Sequence, residues 1–235
     1  MANTPRDSRN SRLIIAIDGP AGAGKSTVAS RLASRLGIPY LDTGAMYRAV
    51  GLLAMQDGLE PPFDEVASTR VVELMERHRI EVEVADGGTV ILVDGRDVGE
   101  DIRSPECSLM ASAVSALAEV RKALVPLQRR LGLRKGGVME GRDIGTVVFP
   151  EADFKVFLTA SIDERARRRH RDLRERDVNT NLEEVREQQQ QRDLQDTSRA
   201  ESPLQVARGS VVVDTTGLTL EQVVERLFEE VTRIH

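Results

Sequence analysis

A glycine-rich loop between an apolar run and a helix constrains this chain more than any other stretch. The loop fits the pattern G-x-x-x-x-G-K-[ST] and reads Gly19-Pro20-Ala21-Gly22-Ala23-Gly24-Lys25-Ser26. The unbroken apolar run 13–17 predicts a strand buried on both faces, and apolar residues at helical spacing over 28–36 predict a following helix. Backbone N–H groups of such a loop cradle phosphate, while Lys25 binds the β/γ-phosphates and Ser26 ligates Mg²⁺. The loop therefore predicts a nucleoside triphosphate site.

Composition and charge argue against several classes of protein. The 33 Lys and Arg against 38 Asp and Glu give a net charge of −5, so bulk affinity for nucleic acid is not expected. The single cysteine, Cys107, leaves no intramolecular disulfide and is typical of a reducing cytosol. No apolar stretch is long enough for a membrane span, and residues 1–12 form a polar, loose tail rather than a signal peptide. With no interface pattern either, we expect a cytoplasmic monomer that binds neither membranes nor nucleic acid.

Strands that alternate with helices predict a parallel sheet with the strand before the loop at its centre. The pattern changes after residue 59, where alternation over 80–84, a turn at 86–88 and a return run over 89–93 predict a hairpin. We therefore expect an inserted subdomain in a chain of 235 residues. The predicted parts are a core at 13–59, the insert at 60–110 with a helical contribution to about 131, a core at 132–160, an arginine-rich lid at 161–200 and a core at 201–235.

Local signals predict where several helices begin and end. Ser161 and Glu164, three residues apart, predict a capping box with Ser161 as the N-cap. Thr180 and Glu183 predict a second capping box. A long helix over 119–131 is expected to end near Gly132.

The helix after Ser161 is crowded with basic residues, which are Arg165, Arg167, Arg168, Arg169, Arg171, Arg174 and Arg176. Some of them have an acidic residue four positions away, as Arg168 has Glu164, and a solvated helix with ion pairs would explain these. Arg165 has no acidic partner along its own helix, so an external anion is expected as its partner. A basic helix for RNA is the alternative, although acidic residues intersperse the arginines and no aromatic side chains accompany them.

A second charged set follows the arginine-rich helix. Arg192, Asp196 and Arg199 lie at spacings of four and three, so they share one helix face. Either they line a site or they form surface salt bridges, which contribute little.

Two five-residue segments nearly duplicate each other, Gly95-Arg96-Asp97-Val98-Gly99 and Gly141-Arg142-Asp143-Ile144-Gly145. The first follows the hairpin, whereas the second follows the short core strand 138–140. Ligands bind at the carboxyl ends of parallel strands. The sequence therefore predicts Arg142 and Asp143 as site residues and assigns Arg96 and Asp97 to a turn.

Other classes of protein that contain this loop also carry further motifs, and this sequence can be searched for them. A GTPase needs an Asn-Lys-x-Asp clamp for guanine, and the chain contains no such tetrapeptide. A small-molecule kinase, with an insert for the acceptor and an arginine lid, accounts for most of the features.

These segments together resemble the bacterial cytidylate kinases. The resemblance runs in order from about Leu13 to the end and rests on the loop, the block 41–48, the block 140–150, the pair Arg192-Asp193 with Asp196 and Arg199, and 214–216. It implies a three-layer α/β/α fold of the P-loop NTPase type, with a central parallel sheet of about five strands. It also implies an inserted monophosphate-binding subdomain with a small antiparallel sheet, and a helical lid.

The resemblance implies transfer of the γ-phosphoryl group of ATP to CMP or dCMP with Mg²⁺, which gives ADP and CDP or dCDP. For ATP it implies Gly19, Pro20, Ala21, Gly22, Ala23, Gly24, Lys25, Ser26 and Thr27, with Ser26 at the metal. For CMP it implies Thr43, Arg48, Ser112, Arg121, Arg142, Asp143, Asp196 and Arg199. As catalytic groups it implies Lys25, Arg142, Arg165, Arg168 and Arg192. The alternatives are another small-acceptor P-loop kinase of UMP/CMP or shikimate type, and a nucleotide-dependent RNA-binding switch protein.

Overall fold

The structure is a computed structural model that describes residues 13–85 and 88–234. The predicted tail at 1–12, together with Asp86 and Gly87 of the predicted turn, lies outside the described residues. The strands are β1 (Ile14–Asp18), β2 (Tyr40–Asp42), β3 (Ile80–Ala85), β4 (Gly88–Val93), β5 (Arg96–Asp97), β6 (Gly137–Gly141), β7 (Phe154–Thr159) and β8 (Val211–Asp214). The helices are α1 (Lys25–Leu36), α2 (Thr43–Gln56), α3 (Glu65–Arg77), α4 (Pro105–Val114), α5 (Ala118–Lys135), α6 (Ile162–Arg174), α7 (Leu182–Ser198) and α8 (Leu220–Ile234).

The central sheet has five parallel strands in the order β2-β6-β1-β7-β8, with the strand before the glycine-rich loop in the middle. Neighbouring residues of β1 are buried on opposite faces. Ile15 and Ile17 pack with α1 and α8, whereas Ala16 packs with Met139 and with side chains of α5. Because helices cover both faces, the predicted three-layer α/β/α fold is confirmed.

The second sheet is small and antiparallel, with the order β3-β4-β5. It packs with α2, α3 and α4 in an apolar cluster of its own that includes Met46, Val71, Ile91 and Val114. Thr89 on β4 joins it to the central sheet, because its hydroxyl accepts a hydrogen bond of 2.9 Å from the Asp42 amide. The small antiparallel sheet of the prediction is confirmed, while the domain boundaries and the role of α6 and α7 as a lid stay predictions.

Two local predictions are wrong. Helix α5 does not end near Gly132 but continues to Lys135, and it stops at Gly136, which has a φ of 63°. Gly132 is needed for packing instead, because a Cβ atom there would lie 2.5 Å from Cζ of Phe149. The capping box of α7 lies one residue later than predicted, at Asn181 and Glu184.

The capping box predicted at Ser161 is only half formed. The Ser161 hydroxyl accepts a hydrogen bond from the Glu164 amide, as predicted, but the Ser161 amide donates to the Thr216 hydroxyl, because the Glu164 carboxylate pairs with Arg167 and Arg168. Across the described ranges, none of the helices is both long enough and apolar enough to cross a membrane.

Candidate active site

The glycine-rich loop wraps around a buried lysine. The loop glycines Gly22 and Gly24 have φ values of 77° and 88°, which a side chain would disfavour. Lys25 is only 6% exposed, and its ammonium donates a 2.7 Å hydrogen bond to the Pro20 carbonyl. Burial, assisted by the positive charge of Arg142, lowers the pKa of Lys25 to about 7. A polyphosphate would supply the negative charge that this ammonium needs.

Asp18, at the end of β1, joins the loop strand to the segment 141–145. Its two carboxylate oxygens accept hydrogen bonds from the amides of Ile144 (2.8 Å) and Gly145 (2.7 Å). Burial raises the pKa of Asp18 to about 6, in spite of these two bonds, which lower it. The sequence analysis missed Asp18, although a carboxylate directly after an apolar strand was a signal.

Glu140 brings a second buried carboxylate to the loop. It lies at the carboxyl end of β6, and the Tyr40 hydroxyl donates a 2.5 Å hydrogen bond to it. Burial and the charge of Asp42 raise the pKa of Glu140, whereas Lys25 and the Ser26 hydroxyl lower it. Glu140 therefore lies beside both Lys25 and Ser26. The sequence analysis missed its place in the site, although a glutamate in a buried strand was a signal.

Two residues that were predicted separately, Arg142 after β6 and Asp196 on α7, are brought together. The Arg142 Nε donates a 2.8 Å hydrogen bond to Asp196, and Arg199 lies 3.4 Å from the same carboxylate. Despite burial, which acts in the opposite direction, the three cations Arg142, Arg199 and Arg192 lower the pKa of Asp196. Asp196 is only 4% exposed, so this group is not a set of surface salt bridges.

Arg192 lies next to this pair. Burial, and then the charge of Arg142, lowers the pKa of Arg192 to about 10. Within residues 13–85 and 88–234, its Nε has no hydrogen-bond partner. Lys25, Arg142 and Arg192 thus converge from the loop, the segment after β6 and α7. Together with burial, the charge of Arg142 lowers the pKa of both Lys25 and Arg192, and the charge of Arg192 lowers that of Lys25.

The side of the site toward the insert carries a second ion pair. Arg121 on α5 and Asp143 after β6 form a salt bridge whose side chains are each 5% exposed. The Arg121 guanidinium lies 5.5 Å from the centre of the Tyr47 ring. Ser112 lies on α4, near the ion pair of Arg121 and Asp143. Its carbonyl accepts a hydrogen bond from the Ser115 hydroxyl, which in turn accepts one from Arg199.

Thr43 and Arg48 lie at the start of α2, next to the same strand end. The Thr43 hydroxyl donates a 2.6 Å hydrogen bond to the Glu140 carbonyl. Arg48 donates a 2.5 Å hydrogen bond to Asp42. Both predicted residues therefore lie beside β6, close to the loop.

Helix α6 places its arginines on the loop. Arg165 is 5% exposed and contacts both Asp193 of α7 and the Ala21 carbonyl of the loop. Arg168 donates to the hydroxyl and the carbonyl of Thr215, at 3.0 and 2.9 Å. The structure thus gives Arg165 an acidic partner from another helix, and an external anion as its partner stays a prediction.

Arg96 and Asp97 lie in the small sheet, away from the loop. The sequence assigned them to a turn, but they form the two-residue strand β5, because they pair with Val93 and Leu92 of β4. Arg96 pairs at 2.9 Å with Asp101, and its side chain is 73% exposed. Asp97 accepts a hydrogen bond from the Gly99 amide within its own turn.

Known proteins have sequences similar to this one over most of its length. A sequence model of the family described as cytidylate kinase matches residues 15–233. The chain is 48% identical to the cytidylate kinase of Caldanaerobacter subterraneus subsp. tengcongensis over 93% of its length and 94% of that protein. It is 51% identical to the cytidylate kinase of Carboxydothermus hydrogenoformans over 93% of its length and 97% of that protein. Among solved structures, a gluconokinase from Sinorhizobium meliloti 1021 shares 15% identity at a TM-score of 0.48, with 95% of this chain and 94% of that one covered. On the family and relative matches, the chain belongs to the cytidylate kinase family.

Proposed function

We propose that this protein transfers the γ-phosphoryl group of ATP to CMP or dCMP, giving ADP and CDP or dCDP. The observation that carries the proposal is the convergence of Lys25, Arg142 and Arg192, three largely buried cations. Burial and the charge of Arg142 lower the pKa of both Lys25 and Arg192. Buried like charges are costly unless an anion joins them. Phosphoryl transfer depends mainly on such positioned positive charge, because the protein does little covalent chemistry.

The donor half of the site is the loop over residues 19–27. Its backbone amides and the start of α1 favour the phosphates of ATP, and Lys25 supplies the charge. Ser26 beside the carboxylate of Glu140 provides the oxygen ligands that Mg²⁺ prefers. Mg²⁺ would neutralise the negative charge on the phosphates.

The acceptor half of the site has chemistry suited to cytidine monophosphate. Arg121 offers hydrogen-bond donors and Asp143 offers only acceptors, and a carboxylate accepts well from the amino group of cytosine. Uracil carries a carbonyl oxygen at that position. Because a carbonyl oxygen and a carboxylate are both acceptors, uracil could not form this hydrogen bond with Asp143. Ser112 lies near the ion pair of Arg121 and Asp143.

The remaining predicted residues suit the phosphate and the sugar. Thr43, Arg48 and Arg142 surround the end of β6 and would bind the acceptor phosphate. Asp196 and Arg199 would reach the pentose. Helices α6 and α7, with Arg165 and Arg168, cover the loop and would exclude water during transfer.

The test measures ADP release from ATP with each of several acceptors. The acceptors are CMP, dCMP, UMP, AMP, GMP and shikimate. We expect the highest kcat/KM with CMP or dCMP. A preference for AMP or shikimate, or the absence of acceptor-dependent turnover, would overturn the proposal. Salt-dependent RNA binding without acceptor turnover would instead favour the RNA-binding alternative.

A further inference from the structure

Helices α6 and α7 rest directly on the backbone of the glycine-rich loop. A Cβ atom at Gly22 would lie 3.0 Å from Nε2 of Gln189 and 3.1 Å from Cβ of Arg165. The Gln189 amide also donates a 3.1 Å hydrogen bond to the Arg165 carbonyl, which joins the two helices at this point. The loop and the helix pair therefore contact each other without an intervening side chain at Gly22.

The Arg165 guanidinium is held almost completely by the protein. Its Nε donates to the Ala160 carbonyl at 3.0 Å, and its Nη1 donates to the Ala21 carbonyl at 3.2 Å. The two carboxylate oxygens of Asp193 accept hydrogen bonds from Nη1 and Nη2, at 3.0 and 2.6 Å, which makes a bidentate pair. In the described part of the chain, Asp193 is the one carboxylate in a salt bridge with Arg165.

Two general facts make Asp193 more than a surface partner. The Arg165 side chain is 6% exposed, and a buried guanidinium without its counter-charge is strongly unfavourable. A bidentate pair also fixes the plane of the guanidinium, because both nitrogens must face the two carboxylate oxygens. Asp193 therefore determines where Arg165 points.

The contact between Arg165 and Ala21 orients a peptide of the loop. In a trans peptide the C=O and the following N–H point in opposite directions. Since the Ala21 carbonyl faces Arg165, the Gly22 N–H faces away from helix α6. This orientation leaves the N–H available to a phosphate in the loop.

We propose that Asp193 is a positioning residue, which holds Arg165 on the Ala21 carbonyl and so keeps the loop in the orientation that binds phosphate. The proposal rests on the proposed function for its kinetic consequence, but not for its effect on the loop. Asp193 acts through Arg165 and does not contact the reacting atoms.

The same two helices supply a matched control. Arg186 of α7 pairs with Asp163 of α6 at 2.8 Å, and neither side chain is buried, since 34% of Arg186 and 57% of Asp163 are exposed. This pair also joins α6 to α7 but does not involve the loop. Asp163→Asn therefore reports the general effect of losing an ion pair between the helices.

The kinetic experiment compares Asp193→Asn, Asp163→Asn, Arg165→Gln and the double variant of Arg165 and Asp193. Asp193→Asn should lower kcat/KM for ATP about tenfold, as a displaced positioning group does, while KM for CMP changes less than about twofold. Asp163→Asn should leave both unchanged. The double variant should lie within about twofold of Arg165→Gln, because residues that act through one another do not give independent effects.

A second measurement does not depend on turnover. Hydrogen exchange of the amides 20–24 in the nucleotide-free protein should be faster in Asp193→Asn than in the unsubstituted protein, and unchanged in Asp163→Asn. Asp193→Glu keeps the carboxylate and should recover most of the protection, which separates this effect from misfolding.

Two results would overturn the proposal. One is a double variant whose loss equals the product of the single losses. The other is an Asp193→Asn exchange pattern that matches Asp163→Asn. If CMP is not an acceptor, the proposed function fails, and the exchange experiment still decides the role of Asp193.

Discussion

Two turns with nearly the same sequence occupy opposite environments in this protein. We call 95–99 the outer turn and 141–145 the inner turn. In the outer turn, Arg96 pairs with nearby Asp101 and Asp97 accepts a hydrogen bond from Gly99, so both charged side chains find partners within five residues along the chain.

In the inner turn the partners come from distant parts of the chain. Arg142 pairs with Asp196, Asp143 pairs with Arg121, and the last two amides bind Asp18. The comparison shows that the Gly-Arg-Asp-x-Gly motif does not itself specify a site. The preceding strand does, because only β6 belongs to the central sheet and lies beside the loop strand.

The largest difference between the turns is expected at the aspartates. Asp143→Ala would leave the buried Arg121 without its counter-charge, which should lower the free energy of unfolding by about 3–5 kcal/mol. Asp97→Ala would remove one exposed hydrogen bond and should cost about 1 kcal/mol at most. Urea unfolding of both variants measures this, and similar losses would contradict the comparison.

The arginines should differ in activity. Arg142→Ala should reduce transition-state stabilisation by about 2–4 kcal/mol, as for other lost charged contacts. Arg96 lies on the surface, so Arg96→Ala should leave kcat/KM within a factor of about two of the unsubstituted protein, as surface substitutions generally do. Steady-state kinetics with CMP as acceptor checks both, and equal losses would show that the turns are assigned wrongly.

The first glycine of each turn is required for a different reason. A Cβ atom at Gly141 would lie 2.8 Å from Cδ1 of Ile144 and 2.9 Å from the Thr43 hydroxyl, so Gly141→Ala should cost about 1–3 kcal/mol through overpacking. Gly95 has a φ of 80° and no neighbour within 4 Å, so Gly95→Ala should cost about 1–2 kcal/mol through the backbone alone. Stability alone will separate these variants poorly. KM for CMP should rise only in Gly141→Ala, and a rise in both would remove the distinction.

The inner turn is also expected to depend on pH. Burial raises the pKa of Asp18 to about 6 from its ordinary 3.8, so between these values the folded protein holds a proton that the unfolded chain has lost. The contribution of Asp18 to stability therefore falls as the pH rises through this window. The Gly145 amide resonance should titrate near pH 6, and Asp18→Asn should abolish the titration. A resonance that does not move would assign the proton to another group.

The sequence was most informative where a structure depends on neighbouring residues. Strand β1, the loop and the Ser161 cap are local, and all were predicted. The capping box of α7 was predicted one residue too early, because Thr180 and Asn181 both precede a glutamate by three residues. Asn is the better N-cap, and it is the residue the helix uses.

The sequence was least informative where a side chain depends on a distant partner. Asp18 binds an amide 127 residues away, and Asp193 binds an arginine 28 residues away on another helix. Helical spacing rules describe pairs within one helix and cannot detect such contacts. For the same reason Gly132 was mistaken for a helix end, because the Phe149 ring that requires it follows in a later segment.

The register of β1 and β6 has a consequence for how such a protein can change its substrate. Asp18 pairs with Gly141 across the two strands, so the loop starts directly after one paired residue and the inner turn starts at the other. Their separation is set by the interstrand spacing of about 4.8 Å. If the proposed donor and acceptor sites are correct, a redesign could exchange the predicted insert, while the distance between the two sites stays fixed by the main-chain ladder.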